Sequence, residues 1–216
     1  MHFDIRSRPA TLKHNPFKAL VVPRPIGWIG TLDAQGRPNL APYSFFNGVA
    51  DRPPLVMFSS GGRKDSLANV EATGEFTVSL AGWDQREAMN TSSAPLAPGV
   101  DEFAAAGLQA APSLRVKPPR VAGAPAALEC RLWQTLDLPG GRYTVVIGEV
   151  VAIYIDDAYV KDGLVDTGAM RVISRLGYMD YGVLEPADIF TMQRPLATDD
   201  GRRVAPPPAQ WDGRYR

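Results

Sequence analysis

A single cysteine in 216 residues excludes an intramolecular disulfide framework and points to a reducing compartment. Two histidines, His2 and His14, are too few and too far from other ligand types for most zinc sites, so no metal is expected. The same scarcity removes any credible Ser-His-Asp arrangement. Neither sign of charge is in excess, with 23 basic against 23 acidic side chains, which argues against a general nucleic-acid binder. No apolar run is long enough to span a bilayer, and Met1 to Leu20 lacks the unbroken apolar core of a signal peptide. The expectation is a soluble cytoplasmic protein with neither a membrane nor a nucleic-acid partner. Long amphipathic helical patterns are missing too, and a Rossmann-type parallel sheet would need them as crossovers.

What the chain does have is punctuation. Twenty glycines and twenty prolines separate short apolar runs. Asn15-Pro16 predicts a brief helix through Leu20, ended by Pro23-Arg24-Pro25. Ile26 to Leu32 and Asn39 to Phe46 read as a hairpin around Asp33 to Pro38. Leu55 to Ser60 is a continuous apolar strand, expected to be buried on both faces. A helix from Asp65, with Leu67 and Val70 inward and Gly74 as its stop, leads to the strand Phe76 to Leu80. Short helices follow at Trp83 to Asn90 and Asp101 to Ala106. The longest β signal is Ala127 to Leu138 and Tyr143 to Ile155 around Pro139-Gly140-Gly141, an antiparallel hairpin. Six strands with short helices predict a mainly β fold, a closed antiparallel barrel with peripheral helices. Residues 1–195 form one domain on this reading. From Arg194 the chain turns polar and Pro-rich, so 196–216 reads as a tail, either disordered or laid on a partner, with Trp211 and Tyr215 in it.

Ser59-Ser60-Gly61-Gly62-Arg63-Lys64-Asp65-Ser66 stands where a strand ends and a helix begins. Glycines let backbone N–H groups approach an anion, the helix terminus is partly positive, and Arg63 and Lys64 add charge: these are the parts of a phosphate cradle. The spacing is not that of a Walker A loop, and an exposed turn capped by Asp65 or Ser66 is equally compatible. Tyr43-Ser44-Phe45-Phe46-Asn47 gathers a hydroxyl, aromatics and an amide suited to a flat heteroaromatic ligand, or else forms a core strand ending in an Asn-Gly turn. Arg24, held between prolines, and Trp28 are a third candidate pair; the alternatives are a surface cation and a core side chain. Arg175 to Gly182 is rich in tyrosine and glycine for a plain connector, though a packing loop suffices. Cys130 reads as a small buried residue, and Asp156-Asp157 and Asp199-Asp200 as solvated loop charges. With no nucleophile or acid–base couple in view, a bound cofactor would supply any difficult chemistry.

Taken together, Pro23-Arg24-Pro25-Ile26-Gly27-Trp28-Ile29, Asn39 to Asn47, Pro53-Pro54-Leu55-Val56, Lys64-Asp65-Ser66 with Asn69, and Thr73-Gly74-Glu75-Phe76 resemble the flavin reductase-like, FMN-binding split-barrel family in its flavin reductase and flavoprotein oxygenase branch. The resemblance runs from about Asn15 to Pro195 and implies an antiparallel split β-barrel that binds FMN. It implies that Lys64, Asp65 and Ser66, with Ser59, Ser60 and Arg63, hold the phosphate. Ser44, Phe45, Phe46 and Asn47, with Gly27, Trp28 and Ile29, would line the ring, Arg24 lying beside them. Arg175 and Tyr181 match a late Arg-Leu-Gly…Tyr stretch placed near the flavin at a dimer interface. The Gly-His pair found late in many flavin reductases is absent; the region reads Leu176-Gly177-Tyr178, so no nicotinamide-binding residue is carried over. The implied activity is hydride transfer from NAD(P)H to FMN and on to oxygen, free flavin or a small substrate, in a homodimer. A non-catalytic flavin-binding protein, for storage or redox sensing, is the alternative. Pyridoxamine-phosphate oxidase-like chemistry would need a second phosphate cradle, which the sequence does not offer.

Overall fold

The structure, a computed structural model, describes residues 1–97 and 99–192, with the backbone of 196–197 and 203–204. Trp211 and Tyr215 of the C-terminal tail lie outside the described residues. A short helix α1 (Phe17–Leu20) precedes β1 (Arg24–Pro25), β2 (Gly27–Leu32), β3 (Pro38–Tyr43), β4 (Phe46–Asp51) and β5 (Pro54–Gly61). Helix α2 (Asp65–Thr73) leads to β6 (Glu75–Ser79), then α3 (Arg86–Thr91), α4 (Glu102–Ala105), β7 (Ala110–Ala111) and β8 (Arg120–Val121). The long pair β9 (Ala126–Asp137) and β10 (Tyr143–Ile155) is followed by β11 (Val160–Lys161), β12 (Leu164–Val165), β13 (Ile173–Arg175) and β14 (Tyr181–Val183).

Seven strands form one antiparallel sheet in the order β3-β2-β6-β9-β10-β5-β4. Its two edges, β3 and β4, are consecutive in the chain and joined only by Ser44 and Phe45. Three residue steps span at most about 11 Å, so the sheet must curl until its edges lie close together. The interior that this creates holds side chains from all seven strands: Ile29, Tyr43, Phe46, Phe58, Phe76, Cys130 and Val146, with Leu67 and Val70 of α2 packed among them. The expected closed barrel is corrected here: among the described residues no hydrogen-bonded ladder joins β3 to β4. The edges meet at one end and part at the other.

Period-2 alternation sorts neighbours to opposite faces. Ile29 and Phe76 point inward, while Trp28 and Leu40 point outward, where α3, α4 and the 121–124 segment cover them with Met89, Phe103 and Val121. The outer face of β6 is polar yet buried: Thr77 Oγ1 donates to the Pro119 carbonyl at 2.8 Å, and Ser79 Oγ accepts from the Val121 N–H at 3.0 Å. Glu129 is 2% exposed and accepts from the N–H groups of Leu114 and Arg115 at 2.7 and 2.6 Å, tying down the loop that crosses β6. Cys130 is fully buried, and burial, followed by the Glu129 charge, pushes its thiol pKa well up. Strand β5 departs from expectation: one face is buried through Val56, Phe58 and Ser60, the other only half-covered.

The edge β4 had no separate place in the sequence reading, which ran one strand through to Phe46. In the structure the chain bends at Ser44-Phe45, and residues 47–51 pair with β5 while remaining exposed. Close packing on the outer face yields a direct test. A Cβ at Gly30 would lie 2.5 Å from Thr77 Oγ1 and 2.6 Å from the Pro119 carbonyl oxygen, whereas one at Gly48 would meet nothing within 4 Å. Gly30→Ala should therefore cost about 1–3 kcal/mol of stability by overpacking. Gly48→Ala should stay within about 0.5 kcal/mol of wild type. Urea unfolding midpoints of the two variants measure both.

Candidate functional site

The link between the two sheet edges is also where an open cleft of about 260 Å³ lies. Its lining comes from the end of β3 (Pro42, Tyr43), the link itself (Ser44, Phe45), the end of β5 (Ser59, Gly61), Lys64, the first residue of β10 (Tyr143) and Lys18 of α1. Tyr143 stands edge-on to Phe45 with ring centroids 6.0 Å apart, and its ring faces Gly61, where a Cβ would come within 3.1 Å. The link is held against β5 by a hydrogen bond from the Ser59 N–H to the Phe45 carbonyl, 2.8 Å long. The hydroxyls of Ser44 and Ser59 make no hydrogen bond within the described residues, so both remain available to a ligand. The lining contains two lysines and no carboxylate.

At one side of the cleft begins α2. Gly62 takes the turn at φ 81°, and Lys64 is the N-cap. A lysine has no acceptor to offer the helix end, and the first helical bond is that from Ala68 N–H to the Lys64 carbonyl. The N–H groups of Asp65, Ser66 and Leu67 therefore have no acceptor among the described residues. An uncapped helix start with a lysine beside it concentrates positive potential there. The helix is fixed in place by a buried polar network: Asn39 Nδ2 donates to Thr31 Oγ1 at 3.1 Å and Ser66 Oγ at 3.0 Å, and Asn69 Nδ2 donates to Thr31 Oγ1 at 3.0 Å. The Tyr43 hydroxyl is buried beside this network without a partner in hydrogen-bond geometry. Burial raises its pKa, and the Ser66 and Ser60 hydroxyls offset this only in part.

Of the residues singled out in the sequence, the structure brings Tyr43, Ser44, Phe45, Ser59, Gly61 and Lys64 to the cleft. The others have different surroundings. Ser60 is fully buried and donates to the Gly62 carbonyl at 2.8 Å, shaping the turn, while Ser66 belongs to the asparagine network. Arg63 is ion-paired with Glu71 of α2 at 2.6 Å, and Asp65 is exposed in the first turn. Trp28 is fully buried on the outer face, its Nε1 donating to Ser92 Oγ at 2.9 Å; Ile29 is in the interior. Gly27 leaves room for Phe46, which lies in the core. Asn47 is exposed on β4 and accepts from the Gly48 N–H, so no Asn-Gly turn forms. Arg175 and Tyr181 pair across β13–β14, the guanidinium 4.3 Å from the tyrosine ring centroid, and neither lines the cleft.

Arg24 is neither a surface cation nor a lining residue. It is 6% exposed, and its guanidinium donates to the carbonyls of Lys18 and Val21 at 2.5 Å each and of Leu176 at 2.7 Å. Burial, then the Arg175 charge, lowers its pKa from the ordinary arginine value, and it stays protonated at neutral pH. Through it α1 is bound to the loop between β13 and β14. Lys18 and Tyr143, which sequence reasoning missed, reach the cleft only because of such long-range placement; no local signal marks either.

Fold and cleft define an antiparallel curled-sheet protein with a cationic, aromatic-lined cleft at the join of its edges. A family model for the flavin reductase like domain matches residues 19–174, so the chain belongs to the flavin reductase-like family. The chain is 42% identical over 188 residues to an uncharacterized protein of Deinococcus radiodurans, covering 82% of each. Nitrilotriacetate monooxygenase component B from Bacillus cereus superposes with a TM-score of 0.81 at 28% identity, covering 89% of this chain and 98% of that one. The 2-nitrobenzoate 2-nitroreductase NbaA of Pseudomonas fluorescens does so with a TM-score of 0.81 at 27% identity, covering 92% and 100%. No helix among the described residues is long and apolar enough to cross a membrane, and no group of three or more metal-ligating side chains stands together there.

The Arg24 clasp is open to test. Arg24→Met removes the charged donor from three carbonyls and should lower stability by about 2–4 kcal/mol. With α1 released, trypsin should cut faster after Lys13 and Lys18. An unchanged unfolding midpoint and cleavage pattern would show that the clasp does not hold α1.

Proposed function

We propose that the protein is an FMN-dependent oxidoreductase of the flavin reductase type, using NAD(P)H as electron donor and passing electrons to oxygen, free flavin or a small substrate. The observation that carries this reading is the uncapped N-terminus of α2 with Lys64 at its cap, opening on a cleft walled by Phe45 and Tyr143. The free N–H groups and Lys64 suit a phosphate dianion, the aromatic wall suits a flat ring, and the Ser44 and Ser59 hydroxyls suit ring-edge or ribityl oxygens. When bound, FMN would supply the hydride and electron-transfer chemistry that no side chain of the cleft offers. The chain's own part is then to bind, orient and exclude: Lys64 and the α2 N–H groups hold the phosphate, and the Ser59–Phe45 bond fixes the wall. Phe45 and Tyr143 keep water from one side of the ring. Binding also agrees with the family to which the chain belongs.

We further propose a cytoplasmic homodimer with its flavin sites near the subunit interface. Support comes from β4, an edge strand whose residues 47–51 are exposed, and from Tyr178 and Met179, 52% and 80% exposed in the loop that Arg24 holds. Unpaired edges and contiguous apolar surface are usually covered in native proteins.

Lys64→Ala should weaken FMN binding about tenfold to a hundredfold, the loss of one charge-assisted hydrogen bond, while riboflavin affinity barely changes. Because the Lys64 side chain makes no capping bond, the fold should survive. Equal losses for both ligands in parallel titrations would remove the phosphate role. Purified protein with FMN should consume NADH or NADPH steadily; tight FMN without turnover would favour a storage or sensing protein instead. Sedimentation should give a dimer, and a monomer that binds FMN tightly would overturn the interface assignment.

A further inference from the structure

The cleft holds two cations in unlike settings, and the phosphate cradle accounts for only one. Lys64 stands at a helix start beside a glycine turn. Lys18 also lines the cleft, with its ammonium 5.8 Å from the Phe45 ring centroid. It has no ion-pair partner among the described residues. Its placement is nevertheless imposed. A four-residue helix does not persist unaided, yet α1 is gripped by Arg24 through the Lys18 carbonyl itself. The Gly177 backbone packs so closely on Ala19 that a Cβ there would come within 2.6 Å.

We propose that Lys18 sets the reduction potential of the bound flavin by stabilising the negative charge of the reduced ring, so that reduced FMN binds more tightly than oxidised FMN. The inference rests on the FMN reading above and deepens it. A hydride from NAD(P)H brings two electrons and one proton to a neutral ring, leaving NAD(P)⁺ and a ring with one net negative charge. A phosphate dianion calls for several converging donors. A single charge spread over a flat ring calls for one cation near an aromatic wall, and that is the setting of Lys18. Lys18 is exposed, so solvent moderates its pull, but this part of the cleft is lined by Pro42, Phe45 and Tyr143 and its lining holds no carboxylate to compete for the ammonium.

The experiment compares wild type, Lys18→Met and Lys18→Arg, measuring the dissociation constant of oxidised FMN by absorbance titration. The midpoint potential of the bound flavin is measured against a reference dye. Lys18→Met should hold oxidised FMN within about twofold of wild type but reduced FMN about tenfold more weakly, which is a potential about 30 mV more negative for a two-electron couple. Lys18→Arg should restore the wild-type potential. Equal potentials in wild type and Lys18→Met, both still binding FMN, would overturn the proposal. So would an affinity loss shared by both redox states, or an effect confined to the KM of an anionic acceptor. Wild type that binds no oxidised FMN would instead remove the FMN reading on which the inference stands.

Discussion

Everything that matters in this molecule follows from a two-residue link between the two outermost strands of its sheet. Strands β3 and β4 stand at opposite ends of the seven-strand order, yet Ser44 and Phe45 are all that separates them in the chain. A twisted antiparallel sheet can satisfy that only by wrapping around itself. The wrapping creates one interior for residues of every strand and leaves the edges apart at the far end. It also brings the end of β5, the start of β10 and the start of α2 against the link. The cleft is therefore a consequence of how the sheet closes, not an addition to it.

Around that cleft, flexible charged side chains are mounted on rigid supports. Lys64 belongs to a helix bolted to β2 and β3 by the amides of Asn39 and Asn69 around Thr31. Lys18 belongs to a helix with little stability of its own, fastened by a buried arginine to a loop more than 150 residues away in sequence. Buried hydrogen bonds such as those of the Arg24 terminal nitrogens and of the Asn39 and Asn69 amides specify geometry more sharply than apolar contacts do, because a small displacement leaves a donor or acceptor unpaired.

The family assignment and the cleft are consistent, but they speak to different questions. Membership in the flavin reductase-like family establishes the scaffold and its association with flavin chemistry. A scaffold alone does not decide the acceptor. What this chain adds to the scaffold at the cleft is two lysines, two free hydroxyls and an aromatic wall. These differ in kind from the catalytic triads and acid–base pairs that the sequence had already made improbable.

Local patterns were legible where local physics suffices. Gly74, at φ 73°, ends α2 because only glycine adopts that conformation at no steric cost, and Pro139-Gly140-Gly141 turns the β9–β10 hairpin for the same reason. Ser59, Lys64, Ser44 and Phe45 could be singled out because strand–glycine–helix and hydroxyl–aromatic clusters carry their chemistry in residue type. Strand β4 could not, since Asn47-Gly48-Val49-Ala50-Asp51 has little strand propensity and becomes a strand only because β5 offers it a ladder. Strand alternation puts Trp28 and Ile29 on opposite faces but does not say which face is in. The curl of the sheet decided that, sending Ile29 to the core and Trp28 to Ser92. Residue type and spacing thus determined most of the elements, the family and the glycine turn that leads into α2. The places of Lys18 and Tyr143 at the cleft and the Arg24 clasp arise from contacts between segments distant in sequence, which no local pattern encodes.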